Sequence, residues 1–247
     1  MSIIDSSLLF LGAIACGEYF GGDIKTLATQ LYDRADWEAF FDHSMNMLHL
    51  VWLPGPPPQF VRHLDYTSEG TLAYFLAAGS TTHPVLGADA YYTYSRGNFG
   101  RILGRYGRDG RPLLQSFFGS LFTYLYPTLL VDVGGMQDAF NIDWERNTRE
   151  AILANFRFAQ DNPAFGYSRA FWGISASDGP NGYQGLYGTP PLDPGAFGAR
   201  HDGTVAPYAV AGSLPFAADL AWPALQHIAT VQNGRLMDRY GLTSGIN

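Results

Sequence analysis

The stretch Asp65-Tyr-Thr-Ser-Glu-Gly-Thr-Leu-Ala-Tyr-Phe-Leu-Ala-Ala-Gly79-Ser80 sets the reading of the whole chain. An apolar run from Leu72 to Ala78 is long enough for a buried helix, and Gly79-Ser80 stops it. Thr67 and Ser68 are both able to cap its start by accepting a backbone N–H. That places Glu69 in the first turn, at the helix mouth, with Asp65 four residues earlier. The plain reading is that Glu69 complements the positive helix end. The functional reading is a catalytic acid at a pocket rim. It carries a condition, because a helix N-terminus lowers a carboxyl pKa and burial or a second carboxylate has to raise it again.

Outward from this stretch, helix follows helix. Ile3–Phe20 carries Ile4, Leu8, Leu9, Ala13 and Cys16 at helical spacing and ends at Gly21-Gly22. Asp5 lies in its first turn, either as a solvated aspartate or as a carboxylate on the pocket end. A second helix is expected from Asp23 to about Leu50, with a break near Asp42 as an alternative, then a loop or short strand at Val51–Leu53 and a break at Pro54-Gly-Pro-Pro-Pro58. Further helices are expected over residues 88–96, over 113–133 with a kink at Pro127, and over 217–232. The clearest is 141–160, where Asp143 is the cap and Glu145–Arg149 an i, i+4 ion pair. The arginine-rich segment 97–112 reads as a surface loop, without the strand or Lys-Ser/Thr ending of a phosphate loop. Residues 169–200 lack periodicity, and loops of that length in a compact domain are usually functional. With no dependable strand pattern, the expectation is an all-α fold of paired helices in one domain over residues 1–247.

Composition narrows the function. The chain has 247 residues, 47% hydrophobic and 15% charged, so a sizeable core is affordable and disorder is excluded. Aromatic residues reach 15%, more than a core requires, and a pocket lined by flat rings accounts for the excess. A net charge of −7 argues against a nucleic-acid partner. The single Cys16 excludes an internal disulfide and a cysteine zinc site. The apolar segment around Leu8–Cys16 lacks the Lys or Arg of a signal n-region, and no apolar run is expected to span a membrane. His83 and His201 form no HExxH-like pair, so neither a metal nor a cofactor is expected. Ser177 and Ser213 lack a Gly-x-Ser-x-Gly elbow, which argues against a serine hydrolase.

The motifs Ser2-x-x-Asp5-Ser-Ser-Leu-Leu, Tyr32-Asp-Arg-x-Asp-Trp37, Tyr66-x-Ser-Glu-Gly70, Gly79-Ser-x-Thr-His-Pro84, Asp143-Trp-x-x-Asn-x-Arg149, Ala176-Ser-Asp-Gly-Pro180 and Asp202-Gly-Thr-Val-Ala-Pro-Tyr208 occur in this order. With them the chain resembles the bacterial glucoamylase-like family of endo-β-1,2-glucanases and the related domain of cyclic β-1,2-glucan synthases. The resemblance implies an (α/α)6 toroid and inverting attack on β-1,2-linked glucan. It implies that Glu69 is the catalytic glutamate and that Asp5, Asp178 and Asp202 are pocket carboxylates, any of which could be the base. A relay through a substrate hydroxyl stays open as well. Trp172, Tyr183, Tyr187, Tyr208 and Phe216 flank those carboxylates and are candidate sugar-stacking rings, with His83 and Asp132 as further candidate contacts. The alternatives are a transglycosylase of the cyclic-glucan-synthase type, or a non-catalytic glucan-binding remnant. The chain departs from the family at Tyr124–Thr128 and Asp132–Gly135, where relatives carry two histidines and an arginine. Relatives also carry a longer N-terminal part. The expectation is therefore a toroid incomplete at its start, its open wall covered by a partner copy or a preceding segment. The family implies a periplasmic or secreted protein.

Overall fold

The computed structural model describes residues 1–64, 67–85, 103–105, 112–116, 118–138, 141–192, 198–231 and 237–247. The chain forms two compact units, Met1–Arg101 and Ile102–Asn247. The expected helix at 88–96 and nearly all of the arginine-rich segment lie outside the described residues, as does Asp65.

In the first unit, α1 (Ile3–Phe20) is capped by Ser2, whose hydroxyl accepts from the Asp5 N–H at 3.4 Å. Gly21 (φ 68°) and Gly22 (φ 52°) turn the chain directly into α2 (Gly22–Asp33). The two helices touch at Gly17, where an added Cβ would meet the Ala28 Cβ at 3.0 Å and the Lys25 Cα at 3.1 Å. By length and composition α1 is long and apolar enough to cross a membrane, contrary to the sequence expectation. It packs here on α2, and Leu9, Tyr19 and Phe20 of α1 and Leu27 of α2 remain exposed.

The second helix stops at Asp33 rather than Leu50. After a 3-10 turn (Glu38–Phe40) come β1 (Phe41–Asp42), β2 (Met47–Leu53) and β3 (Gln59–His63), antiparallel in the order β1-β2-β3. The cause is local. The Asp42 carboxylate accepts from the Ser44 N–H (2.8 Å), the Ser44 hydroxyl (2.6 Å) and the Met45 N–H (3.2 Å), closing a turn that competes with helix. The following Leu-His-Leu-Val-Trp-Leu run then fits a pleated surface. Helix α3 (Thr71–Gly79) buries Leu72, Ala73, Tyr74, Leu76 and Ala77. Tyr74 ties it to the sheet, its hydroxyl accepting from the Leu48 N–H (3.0 Å) and donating to the Leu64 carbonyl (3.1 Å).

In the second unit, a hairpin of β4 (Leu103–Arg105) and β5 (Pro112–Leu114) precedes α4 (Phe122–Leu130), which contains Pro127. The expected helix from residue 113 begins nine residues late. Gly119 is the reason: its φ is 67°, and a Cβ there would lie 2.0 Å from the Thr189 carbonyl oxygen. Helix α5 (Trp144–Asp161) is capped by Asp143, which accepts from the Arg146 N–H at 2.9 Å. Arg149 donates to the Phe216 carbonyl instead of pairing with Glu145. A small hairpin, β6 (Ser177–Gly179) and β7 (Gly182–Gln184), sits in the long aperiodic region. Helices α6 (Pro207–Gly212) and α7 (Leu214–Thr230) follow, α7 broken at Ala217 (φ −152°, ψ 56°). Strands β8 (Met237–Asp238) and β9 (Gly241–Leu242) end the chain, and Val205 pairs with Ile246. The core joins Leu121, Leu125, Ile152, Trp172, Ile174, Val210 and Ile228.

The fold is thus mainly helical, as expected, and adds short antiparallel strands in both units that, Val51–Leu53 aside, the sequence reading did not include.

Candidate active-site residues

Glu69 sits in the turn that leads into α3, not inside its first turn. Gly70 is the cap residue and no side chain caps the helix. The Ser68 hydroxyl instead accepts from the Gly70 N–H at 3.1 Å, and the Glu69 carbonyl accepts from the Leu72 N–H at 3.0 Å. The residue still stands at the helix mouth, so burial has to outweigh the positive helix end. Burial pushes the Glu69 carboxyl from an ordinary 4.5 up to about 7, against the opposing pull of its own backbone N–H and the Ser68 hydroxyl. The negative charge of Asp5, in the first turn of α1, adds the smallest upward contribution. The residue keeps partial exposure, yet its Oε2 is buried and has no hydrogen-bond partner among the described residues. The hydroxyls of Thr67 and Thr71 on either side are buried in the same state. The result is a carboxyl that holds its proton to neutral pH beside unspent polar groups.

The first unit also holds an apolar cavity of about 490 Å³ lined by Phe10, Trp37, Trp52 and Phe60. The ring-lined pocket expected from composition is present here, but built from other rings than those expected.

In the second unit, Asp202, Tyr183 and Tyr187 line a cavity of about 340 Å³ together with Asn181, Arg200 and His201. The Tyr187 hydroxyl donates to Asp202 Oδ2, and the Thr204 N–H donates to Oδ1 at 3.0 Å. Partial burial raises the Asp202 carboxyl, but donors from Thr204, Tyr187 and Asn247 outweigh it and hold the carboxyl below its usual range. His201 is packed among Phe158, Phe165 and Tyr167, and that burial lowers its pKa.

The other expected residues are placed as follows. Asp178 is exposed on β6, directly opposite Tyr183 of β7. His83 is exposed, its N–H donating to the Ser80 hydroxyl at 3.2 Å. Asp132 is exposed and accepts from the Gly134 N–H at 3.1 Å, as in an Asx turn. Trp172 is 0% exposed, edge-on to Phe156 at 5.6 Å. It belongs to the core, a correction to its reading as a sugar platform. Tyr208 is half-buried. Its hydroxyl is shared with Ser175 (2.8 Å) and donates to the Ala176 carbonyl (2.7 Å). Phe216 is partly buried against the core.

Sequence reasoning read Thr67 and Ser68 as helix caps and passed over Thr71, whereas in the structure all three surround Glu69. The run Thr67-Ser-Glu-Gly-Thr71 was the available signal, since hydroxyls bracket the acid. It also missed Asn247, 45 residues from Asp202, for which no local signal exists.

The model of the glycoamylase family, described as "Putative glucoamylase", matches residues 62–247. The chain belongs to that family. Among curated proteins, this glycoamylase-family chain is 23% identical over 278 residues to an exo β-1,2-glucooligosaccharide sophorohydrolase (non-reducing end) of Parabacteroides distasonis. That match covers 99% of the chain and 36% of the relative. A solved structure from Bacteroides uniformis that carries the family's description is 25% identical with a TM-score of 0.81, over 100% of this chain and 60% of that one. The endo-β-1,2-glucanase of Chitinophaga pinensis, solved with sophorotriose and glucose, is 23% identical with a TM-score of 0.78, over 100% and 59%. The glycoamylase-family chain thus spans between about a third and three fifths of these relatives' length.

Proposed function

We propose that the chain is a glycoside hydrolase acting on β-1,2-glucan by an inverting mechanism, with Glu69 as general acid. The observation that carries this reading is the Glu69 carboxyl itself: it is raised to about 7 by burial and has a buried oxygen with no hydrogen-bond partner among the described residues. An inverting hydrolase needs one protonated carboxyl at the leaving oxygen and one ionised carboxylate that activates water. Glu69 meets the first requirement at neutral pH. The water-activating carboxylate is one of Asp5, Asp178 and Asp202. The buried hydroxyls of Thr67 and Thr71 offer hydrogen bonds to a sugar, and Tyr183 and Tyr187 offer ring and hydroxyl surface beside Asp202. The names of the relatives support the linkage, and their fold supports an (α/α)6 toroid as the architecture.

The test is release of reducing ends from β-1,2-glucan, compared with β-1,3-, β-1,4- and α-linked glucans. Turnover confined to the β-1,2 polymer, abolished by Glu69→Gln, is the expected result. Rescue of one Asp→Ala variant by azide identifies the base. Turnover unaffected by Glu69→Gln overturns the assignment. Calorimetric binding of the glucan without turnover by the wild type supports the non-catalytic alternative, which the replaced histidines and arginine favour.

A further inference from the structure

We propose that Asp42, His49 and His63 form a binding site for a divalent transition-metal ion of the zinc class. The three offer one ligand atom each, all within 4.8 Å of one another. The sheet itself brings them together. His49 on β2 lies directly opposite His63 on β3. Asp42 on β1 is opposite Met47, so it is diagonal to His49, two residues further along β2 on the same face.

The donors are also preset. One Asp42 oxygen, Oδ1, is fully engaged by Ser44 and Met45, which aims the other, Oδ2, at His63 Nε2 at 3.0 Å. Orientation of a ligating carboxylate by hydrogen bonds on its second oxygen is how metal sites hold their donors. Phe60 stacks on the His49 ring at 5.2 Å and 26°, fixing its plane, and the two imidazole centroids are 4.5 Å apart.

An ordinary Asp–His pair explains part of this geometry but not His49. Its Nδ1 is buried and has no hydrogen-bond partner among the described residues. A buried ring nitrogen without a partner keeps the full cost of its lost hydration. A metal ion taken up by that nitrogen supplies the missing partner.

Bonds of about 2.0–2.1 Å to a tetrahedral ion hold donor atoms roughly 3.4 Å apart, so shifts on the order of 1 Å close the site. Two imidazoles with one carboxylate suit zinc and its neighbours, not calcium or magnesium, which want oxygen donors. Three protein ligands leave a position for water, and the Asp42 and His63 side chains are 21% and 26% exposed, so solvent reaches it. Asp42 and His49 both precede residue 62, where the family match begins.

Isothermal titration of chelator-treated protein with zinc chloride tests this, with the absorption spectrum of added cobalt(II) as a second readout. The expected result is one ion per chain. His49→Ala and His63→Ala should each weaken binding by more than about 100-fold, beyond what outer-shell changes cost. The nearly isosteric Asp42→Asn guards against loss of fold and should weaken it too, while the exposed His227→Ala leaves it unchanged. Zinc should raise the melting temperature of the wild type and not of Asp42→Asn. A folded wild type that binds no zinc overturns the proposal. So does binding that survives all three substitutions or is lost in His227→Ala.

Discussion

At the scale of the residue, Glu69 carries two linked consequences. Its carboxyl titrates near 7 when folded and near 4.5 when free. The folded state therefore binds the proton more tightly. Stability from this group is full below about 4.5 and is lost as pH rises through 7. Glu69→Gln should leave stability unchanged at pH 4 and raise it at pH 8 by about 3 kcal/mol, measured by urea unfolding. The same titration places the alkaline limb of the rate profile near pH 7 if Glu69 donates a proton. Because burial outweighs Asp5 as its cause, Asp5→Asn should move that limb only slightly downward. A fall of the limb back toward 4.5 would mean that charge repulsion, not burial, sets the acid. Gly179 makes a second residue-level case. A Cβ there would lie 2.1 Å from the Tyr187 hydroxyl oxygen, the group that donates to Asp202. Gly179→Ala should cost about 1–3 kcal/mol through overpacking. Much of that should return in the Gly179→Ala/Tyr187→Phe double variant, and strict additivity in the cycle would refute the contact. Glu69 was legible in the sequence because an acid bracketed by hydroxyls stands before an apolar run. Gly179 was not, because the turn Asp-Gly-Pro accounts for glycine without any knowledge that Tyr187 approaches.

At the scale of the element, α5 is held by a device repeated two turns apart. Asn155 accepts from the Ile174 N–H (3.0 Å) and donates to the Ile174 carbonyl (2.9 Å). Asn147 does the same with Leu114, accepting at 2.6 Å and donating at 3.3 Å. Each amide stands in for a neighbouring strand and satisfies both backbone polar groups of one residue. Asn155→Ala strips both groups of Ile174 in a buried site and should destabilise by about 3 kcal/mol. Calorimetric melting checks this, and a change under about 1 kcal/mol would mean that water replaces the amide. Helix α5 itself was legible, from Asp143 as its cap to the periodic apolar face. The partners of its asparagines were not, since they lie 19 and 33 residues away. Of the strands β1–β3 only the Val51–Leu53 end of β2 was read as a loop or short strand, and the rest was missed for a related reason. An apolar run of Leu, Val and Trp satisfies either period, and the Asp42 turn that decides the matter is a hydrogen-bond choice rather than a pattern.

At the scale of the whole molecule, burial is uneven among its helices. Ten residues of α5 are buried, whereas α2 buries Ala28 alone. Opening of α2 exposes little apolar surface, and opening of α5 exposes the core of its unit. Dissolved in heavy water, the chain should therefore take up deuterium at the α2 amides long before those of α5. The α5 amides should exchange only on the timescale on which their unit unfolds.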